Sequence, residues 1–182
     1  MRIQSESRVH HPLEDVYLAY RDRLPEIAAY IPDVREIRVL EREPLPRGLR
    51  LLNLWVADKE PPKVAQGIVR PEWLQWEDHA RWDDDAHHVD WKIALPALPD
   101  RVRCGGRNAF FADGPAATRV VLTGDLSIDA ARLPGVPRLL AGKIGPIAER
   151  FIVDLITPNL SRVNACLERF LDDQRALREE TG

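Results

Sequence analysis

The period of hydrophobic and polar positions changes twice along this chain. It opens with strand-like alternation, passes through helical spacing, returns to alternation for about a hundred residues, and closes on helical spacing again. Residues 3–10 read as a first strand. At His11-Pro12 the period shifts: Pro12 suits a first helical position, Glu14 and Asp15 suit the positive end, and Leu13, Val16, Tyr17 and Tyr20 recur at helical steps. A second short helix fits Leu24 to Ile31, with Ile27, Ala28 and Ile31 on one side, and Pro32 ends it.

Strands follow. Val34–Glu43 carries Ile37 and Val39 on one face, and Pro44 to Gly48 forms a turn. Leu49–Val56 is apolar on both faces, so its inward side is open; Trp55 lies on it. Pro61-Pro62 suits the start of a short helix with Val64, Ile68 and Val69 buried, closed by Pro71. Leu74–Trp82 alternates most clearly: Leu74, Trp76, Asp78, Ala80 and Trp82 share one face, and Gln75, Glu77, His79 and Arg81 the other. Val89, Trp91, Ile93 and Leu95 repeat the pattern. Val102–Ala112 places Val102, Cys104, Asn108 and Phe110 together, with Gly105-Gly106 read as a bulge or sharp bend. Residues 113–118 make a turn, and a last strand turns Val120, Leu122, Leu126 and Ile128 one way.

From Leu139 onward, apolar residues including Leu140, Ile144, Ile147, Phe151, Leu155, Leu160, Val163, Leu167 and Phe170 form a helical stripe. Pro146 and Pro158 lie inside it, so a long bent helix is expected. Consecutive strands with short connections and one-sided alternation favour an antiparallel sheet, and the terminal helix is long and apolar enough to cover it.

Composition narrows the class. A chain of 182 residues suits one domain over 1–182, with a frayed polar tail at about 173–182. It buries roughly 70% of its unfolded surface, so no disulfide or metal is needed to hold it together. Net charge is −3, from 26 basic and 29 acidic residues, which gives no basic excess for nucleic acid. The start, MRIQSESRVHH, has no apolar signal core, and no run approaches the ~18 apolar residues of a membrane span. The expectation is a cytoplasmic chain without a membrane span; oligomeric state is left open. Cys104 and Cys166 fit no metal-ligand spacing and read as two buried thiols.

The stretch RWDDDAHHVDW, Arg81 to Trp91, holds three aspartates and two histidines and so raises a metal or acid–base site. The alternation before it ends at Trp82 and resumes at Val89, which makes the segment a hairpin turn. Adjacent side chains on a strand diverge, so His87 and His88 are expected to part. No metal or other cofactor is assigned to it.

The order of strand, two short helices, six strands and a long terminal helix resembles the START-like helix-grip superfamily, also known as SRPBCC. The resemblance covers nearly the whole chain and looks like its polyketide-cyclase-like and uncharacterised bacterial members. The segments that carry it are HHPLEDVYLAY, PEWLQWEDHARWD, TRVVLTGDLSID and PGVPRLLAGKIGPIAERFIVDLITPNL. It implies an α+β helix-grip fold: a curved antiparallel sheet of about seven strands around the C-terminal helix, with two short helices after the first strand. It also implies a cavity for lipid-, polyketide- or quinone-like guests, and hence a hydrophobic small molecule as partner.

The candidate lining is Trp55, Trp76, Trp82, Trp91 and Phe110 on the sheet and Ile147, Phe151 and Leu155 on the helix, with Asp78 and Asn108 as polar members. Plain core packing is the competing reading of the aromatic residues, and satisfied loop or bulge groups that of Asn53, Asp78 and Asn108. Arg150 and Asp154 are spaced to pair across one helical turn, either at a cavity mouth or on the surface. Binding or carriage of a hydrophobic molecule is the first functional expectation. An aromatase/cyclase-like enzyme using Asp78, Asn108 or Arg150 is the second. An interaction module of the co-chaperone-like kind, with an apolar patch at Leu52, Leu54 and Val56, is the third.

Overall fold

A computed structural model describes the backbone of residues 1–60, 70–129 and 141–181, and the side chains there except those at 141–145, 148, 155–161 and 181. Seven strands form one sheet: β1 (Arg2–Val9), β2 (Val34–Leu45), β3 (Gly48–Ala57), β4 (Gln75–Asp83), β5 (His88–Ala94), β6 (Val102–Ala112) and β7 (Thr118–Ile128). Their spatial order is β1-β7-β6-β5-β4-β3-β2, and each described pairing is antiparallel. β2 to β7 thus run as a meander, while β1 closes against the last strand. The chain must then cross from one sheet edge to the other, and it does so through α1 (Leu13–Asp22) and α2 (Leu24–Ile27). A 41-residue helix, α3 (Ala141–Thr181), completes the curved helix-grip α+β fold.

The elements follow from their residues. Val16, Tyr17, Ala19 and Tyr20 are the buried stripe of α1, and Glu14 and Asp15 sit in its first turn. The second helical segment is shorter than its spacing suggests: α2 ends at Ile27 and a 3₁₀ turn carries Ala28–Tyr30. Ile27, Ala28 and Ile31 are buried nonetheless. β3 resolves its two-faced pattern by burying Leu49, Leu51, Asn53 and Trp55 on one side. Leu52 and Leu54 are half-buried and Val56 is buried, so that stretch is no exposed patch. The expected helix at 61–69 lies outside the described residues. Pro71–Leu74 forms a 3₁₀ turn that buries Trp73 before β4 begins at Gln75.

Two features differ from the sequence expectation for physical reasons. First, Gly105 and Gly106 pair without a register shift on either side, so there is no bulge. They answer instead to close approach. A Cβ on Gly106 would lie 2.2 Å from the Thr123 carbonyl oxygen and 2.6 Å from Trp91 Cζ2; one on Gly124 would lie 2.9 Å from Trp91 Cη2. The Trp91 indole occupies the space that two side chains would fill. Second, the tail from 173 is helix as far as Thr181, with mostly exposed side chains. α3 passes Pro146 and Pro158 without a break, and at about 1.5 Å per residue it is roughly 60 Å long. No described helix is long and apolar enough to cross a membrane.

α3 is clamped to the first thirty residues. Val163, Leu167 and Phe170 are its buried stripe, and polar bonds flank them. Asn164 Nδ2 donates to Ser7 Oγ (2.7 Å), His10 N–H to Glu168 (2.8 Å), and the Tyr30 hydroxyl to Asp173 (2.7 Å). His11 Nε2 meets Asp172 at 2.9 Å, and the Cys166 thiol donates to the Tyr30 carbonyl.

The Trp91 packing yields a contrast between glycines. Gly106→Ala is expected to lower the unfolding free energy by at least about 3 kcal/mol in urea titrations. Gly114→Ala has nothing within 4 Å of its new methyl group, and only its φ of 86° is unfavourable. It is expected to cost about 1 kcal/mol.

Candidate functional site

Four alternate residues of β4, Trp76, Asp78, Ala80 and Trp82, face a slot beneath the helices. Trp55 on β3 lies opposite Trp76, ring centroids 5.6 Å apart and planes 21° from parallel. β5 adds Val89, Trp91 and Ile93, and β6 adds Asn108. Tyr20 of α1, Leu24 of α2 and Val163 of α3 complete the described lining. The free space, counted out to the open mouth, is about 530 Å³, of which about 40 Å³ is wide enough for the centre of a water-sized sphere. That is room for about three waters.

Six of the ten residues expected from sequence line this slot: Trp55, Trp76, Asp78, Trp82, Trp91 and Asn108. Phe110 stands behind them. Its ring stacks on Trp82 at 6.0 Å and meets Tyr17 and Tyr20 edge-on at 5.5 Å each. Ile147 and Phe151 line a different, outer groove beside Lys59 and Glu60, where Ile147 is exposed and Phe151 buried. The Leu155 side chain lies outside the described residues. Tyr20, Leu24 and Val163 escape a reading of the sequence because a helical stripe signals burial without naming what it faces. Ala80, Val89 and Ile93 share strand parity with the tryptophans, and that parity is signal enough to find them.

The polar members are arranged in two sets. Trp91 Nε1 donates to Asn108 Oδ1 (3.0 Å), and Asn108 Nδ2 donates to the Tyr20 hydroxyl oxygen (3.1 Å). This chain satisfies Asn108 and leaves the Tyr20 O–H proton to be donated elsewhere. Burial, and then the negative charge of Asp78, push the Tyr20 hydroxyl well above its ordinary range, so it remains a donor.

In the second set, Asn53 Nδ2 donates to Asp78 Oδ2 (3.2 Å) from the facing strand. Removal of water pushes the Asp78 carboxyl up to about 6, against the lowering by Asn53, His79 and Trp55. The Trp55 N–H leans on this carboxylate without completing a hydrogen bond, and Trp55 Nε1, Trp82 Nε1 and Asn53 Oδ1 are buried without partners. Orphaned polar atoms of this kind are uncommon in folded chains, and Asn164 Oδ1 on α3 is another, outside the slot lining.

The Asp-and-His stretch does different work. Asp84–His87 is the β4–β5 turn, with His87 in the left-handed region (φ 48°). Asp83 Oδ1 accepts the Ala86 N–H within the turn (3.0 Å). Asp84 Oδ1 accepts from the Tyr17 hydroxyl (2.8 Å) and Arg21 Nη1 (2.7 Å), while Arg21 also holds Asp22, which takes Arg42 of β2. His87 turns to Glu14 (2.8 Å) and His88 to Asp90 (3.7 Å). The side chains diverge and dock the hairpin on α1; among the described residues no three His, Cys, Asp or Glu groups gather as a metal would need. Arg150 and Asp154 pair at 3.0 Å on the rim of the outer groove, away from the slot.

No protein-family model matches the sequence, and no curated protein matches it. Solved structures do. The protein TTHA0849 of Thermus thermophilus is 24% identical, with 93% of this chain and 95% of that one covered and a TM-score of 0.63. The Zhui aromatase/cyclase of a Streptomyces species is 20% identical, covering 93% and 92%, with a TM-score of 0.65. Norcoclaurine synthase from Thalictrum flavum, solved with dopamine and hydroxybenzaldehyde, is 9% identical, covering 95% and 87%, with a TM-score of 0.56. At these identities the likeness is one of fold. The chain therefore has a START-like helix-grip fold.

Proposed function

We propose that this chain binds or carries a hydrophobic small molecule in the slot between the sheet and α3. The observation that carries the reading is the wall itself: four tryptophans and a few aliphatic side chains, interrupted by polar atoms several of which have no partner. Apolar walls with a few placed polar groups are the usual composition of a small-molecule site. Flat indole surfaces favour a flat, aromatic guest of the polyketide or quinone kind over a saturated chain. The fold neighbours support this class: one is an aromatase/cyclase, and another was solved with two small aromatic compounds.

Only about 40 Å³ of the slot is wide enough to admit a water-sized sphere, far below the roughly 300–1,000 Å³ of pockets for such guests. Entry therefore needs its walls to part, and the helix-borne residues Tyr20, Leu24 and Val163 are the ones not held in the sheet. An enzyme reading retains Asp78 alone of its three candidates. Asn108 is engaged by Trp91 and Tyr20, and Arg150 lies in the outer groove. Binding is the reading that uses the whole wall.

Asp78 also marks the site energetically. In the unfolded chain its carboxyl ionises near 3.8, and in the folded chain near 6. Between those values the folded chain keeps a proton that the unfolded chain has lost, so stability falls as pH rises through that window and levels off above it.

Two outcomes are expected. Titration with 1,8-dihydroxyanthraquinone should quench tryptophan fluorescence saturably, and Ala80→Leu, which fills the slot, should weaken binding at least about tenfold in protein that circular dichroism shows to be folded. Unchanged affinity in that variant, or no saturable quenching of the parent chain, would rule the slot out. Asp78→Asn should raise the unfolding free energy by up to about 3 kcal/mol near pH 7.5, with the gain shrinking to about 1 kcal/mol near pH 4.5 in urea titrations.

A further inference from the structure

The acidic residues of this chain mostly have cationic partners. Asp22, Asp84, Asp90 and Asp113 pair with arginines at 2.6–2.9 Å, and Glu168 and Asp172 meet histidines. Asp78 is different. Its bond is to the neutral amide of Asn53, and no cationic side chain pairs with it among the described residues. The next residue, His79, is exposed on the opposite sheet face and turns to Glu77 at 3.1 Å.

The groups facing Asp78 from each packed element are neutral. β3 presents Asn53 and Trp55, β5 presents Ile93, and β6 presents Asn108 and Cys104, whose thiol burial pushes up to about 12. α1 presents Tyr20, and Leu24 and Val163 close the slot from α2 and α3. A carboxylate among neutral groups in an apolar wall is costly unless something compensates it.

The rings around it would supply part of that compensation to a positive charge. Trp and Tyr π-systems attract cations within roughly 6 Å of the ring centre, and Trp does so best. Trp55, Trp76, Trp82, Trp91 and Tyr20 all line the same slot as Asp78, so a small charged head set against the carboxylate lies among their rings. The same charge on Asp78 repels fatty acids and other carboxylates.

We infer that the slot selects a cationic ligand: an amine or quaternary ammonium on an apolar body, its head set against Asp78 among the indoles. This rests on the binding reading above and names the ligand's charge. No bond is made or broken; the ammonium simply replaces water against the carboxylate.

Three probes with one aromatic body separate the cases: 2-phenylethylamine, 2-phenylethanol and phenylacetate, each titrated by calorimetry against the parent chain and Asp78→Asn. Near pH 8 the amine should bind about tenfold tighter than the alcohol, and phenylacetate weakest. Near pH 5 the amine is still charged but Asp78 is mostly protonated, so the preference should shrink severalfold in the unaltered chain. Asp78→Asn should lose the amine's preference over the alcohol, whatever its affinity for the alcohol itself. If the alcohol binds and the amine binds no better, the inference falls and the binding reading stands. If the preference persists in Asp78→Asn or does not change with pH, Asp78 is not the recognition group and the inference falls. If none of the three binds, the binding reading falls and takes the inference with it.

Discussion

The sheet carries tryptophans on one face in numbers that no single helix can cover flush, and the architecture follows from that. Trp55, Trp76, Trp82 and Trp91 must leave water, since each buries on the order of 200 Å². Trp91 meets the demand by lying over Gly106 and Gly124, where two strands come too close for side chains. Trp82 meets it by packing against Phe110, Tyr17 and Tyr20. Rigid rings that satisfy each other pairwise leave space between pairs, and the slot is that space.

Polar order is laid over this packing at two places. Tyr17, Asp84, Arg21, Asp22 and Arg42 form one network that joins the β4–β5 turn, α1 and the edge strand β2, so the roof of the slot is fixed to the sheet at the end where the β2–β3 and β4–β5 turns lie. The charge-assisted bonds are short and partly shielded, which makes them stronger than exposed pairs. Inside the slot the opposite holds: Asn53 Oδ1, Trp55 Nε1 and Trp82 Nε1 are buried without partners.

Much of this is legible in the chain. Alternation from Gln75 to Trp82 gives strand and face together, because the period of two leaves no other way to bury both Trp76 and Trp82. Asp78, Asn108 and the tryptophans reach the site for the same reason. Phe151 and Ile147 do not, because a helix stripe more than about a hundred degrees wide does not say which part of the core a residue meets. Gly105-Gly106 misleads because a glycine made for close approach and one made for a bulge look alike until Trp91 is placed across from it. The Asp-and-His segment is recognisable as a turn, but its docking on α1 depends on Tyr17 and Arg21, more than sixty residues away, which no local pattern reveals.

The clamp on α3 has a consequence for how the molecule comes into being. Ser7, His10, His11 and Tyr30 find their partners between Asn164 and Asp173, some 140 to 160 residues later. Contacts so distant along the chain are slow to form, because their loops must be closed before they return any stability. On a ribosome the meander of strands is complete long before its partners for the first helix turn are made. For that interval the first helix turn lacks its tethers, and the slot stands open on the side that Val163 will close when the last helix emerges.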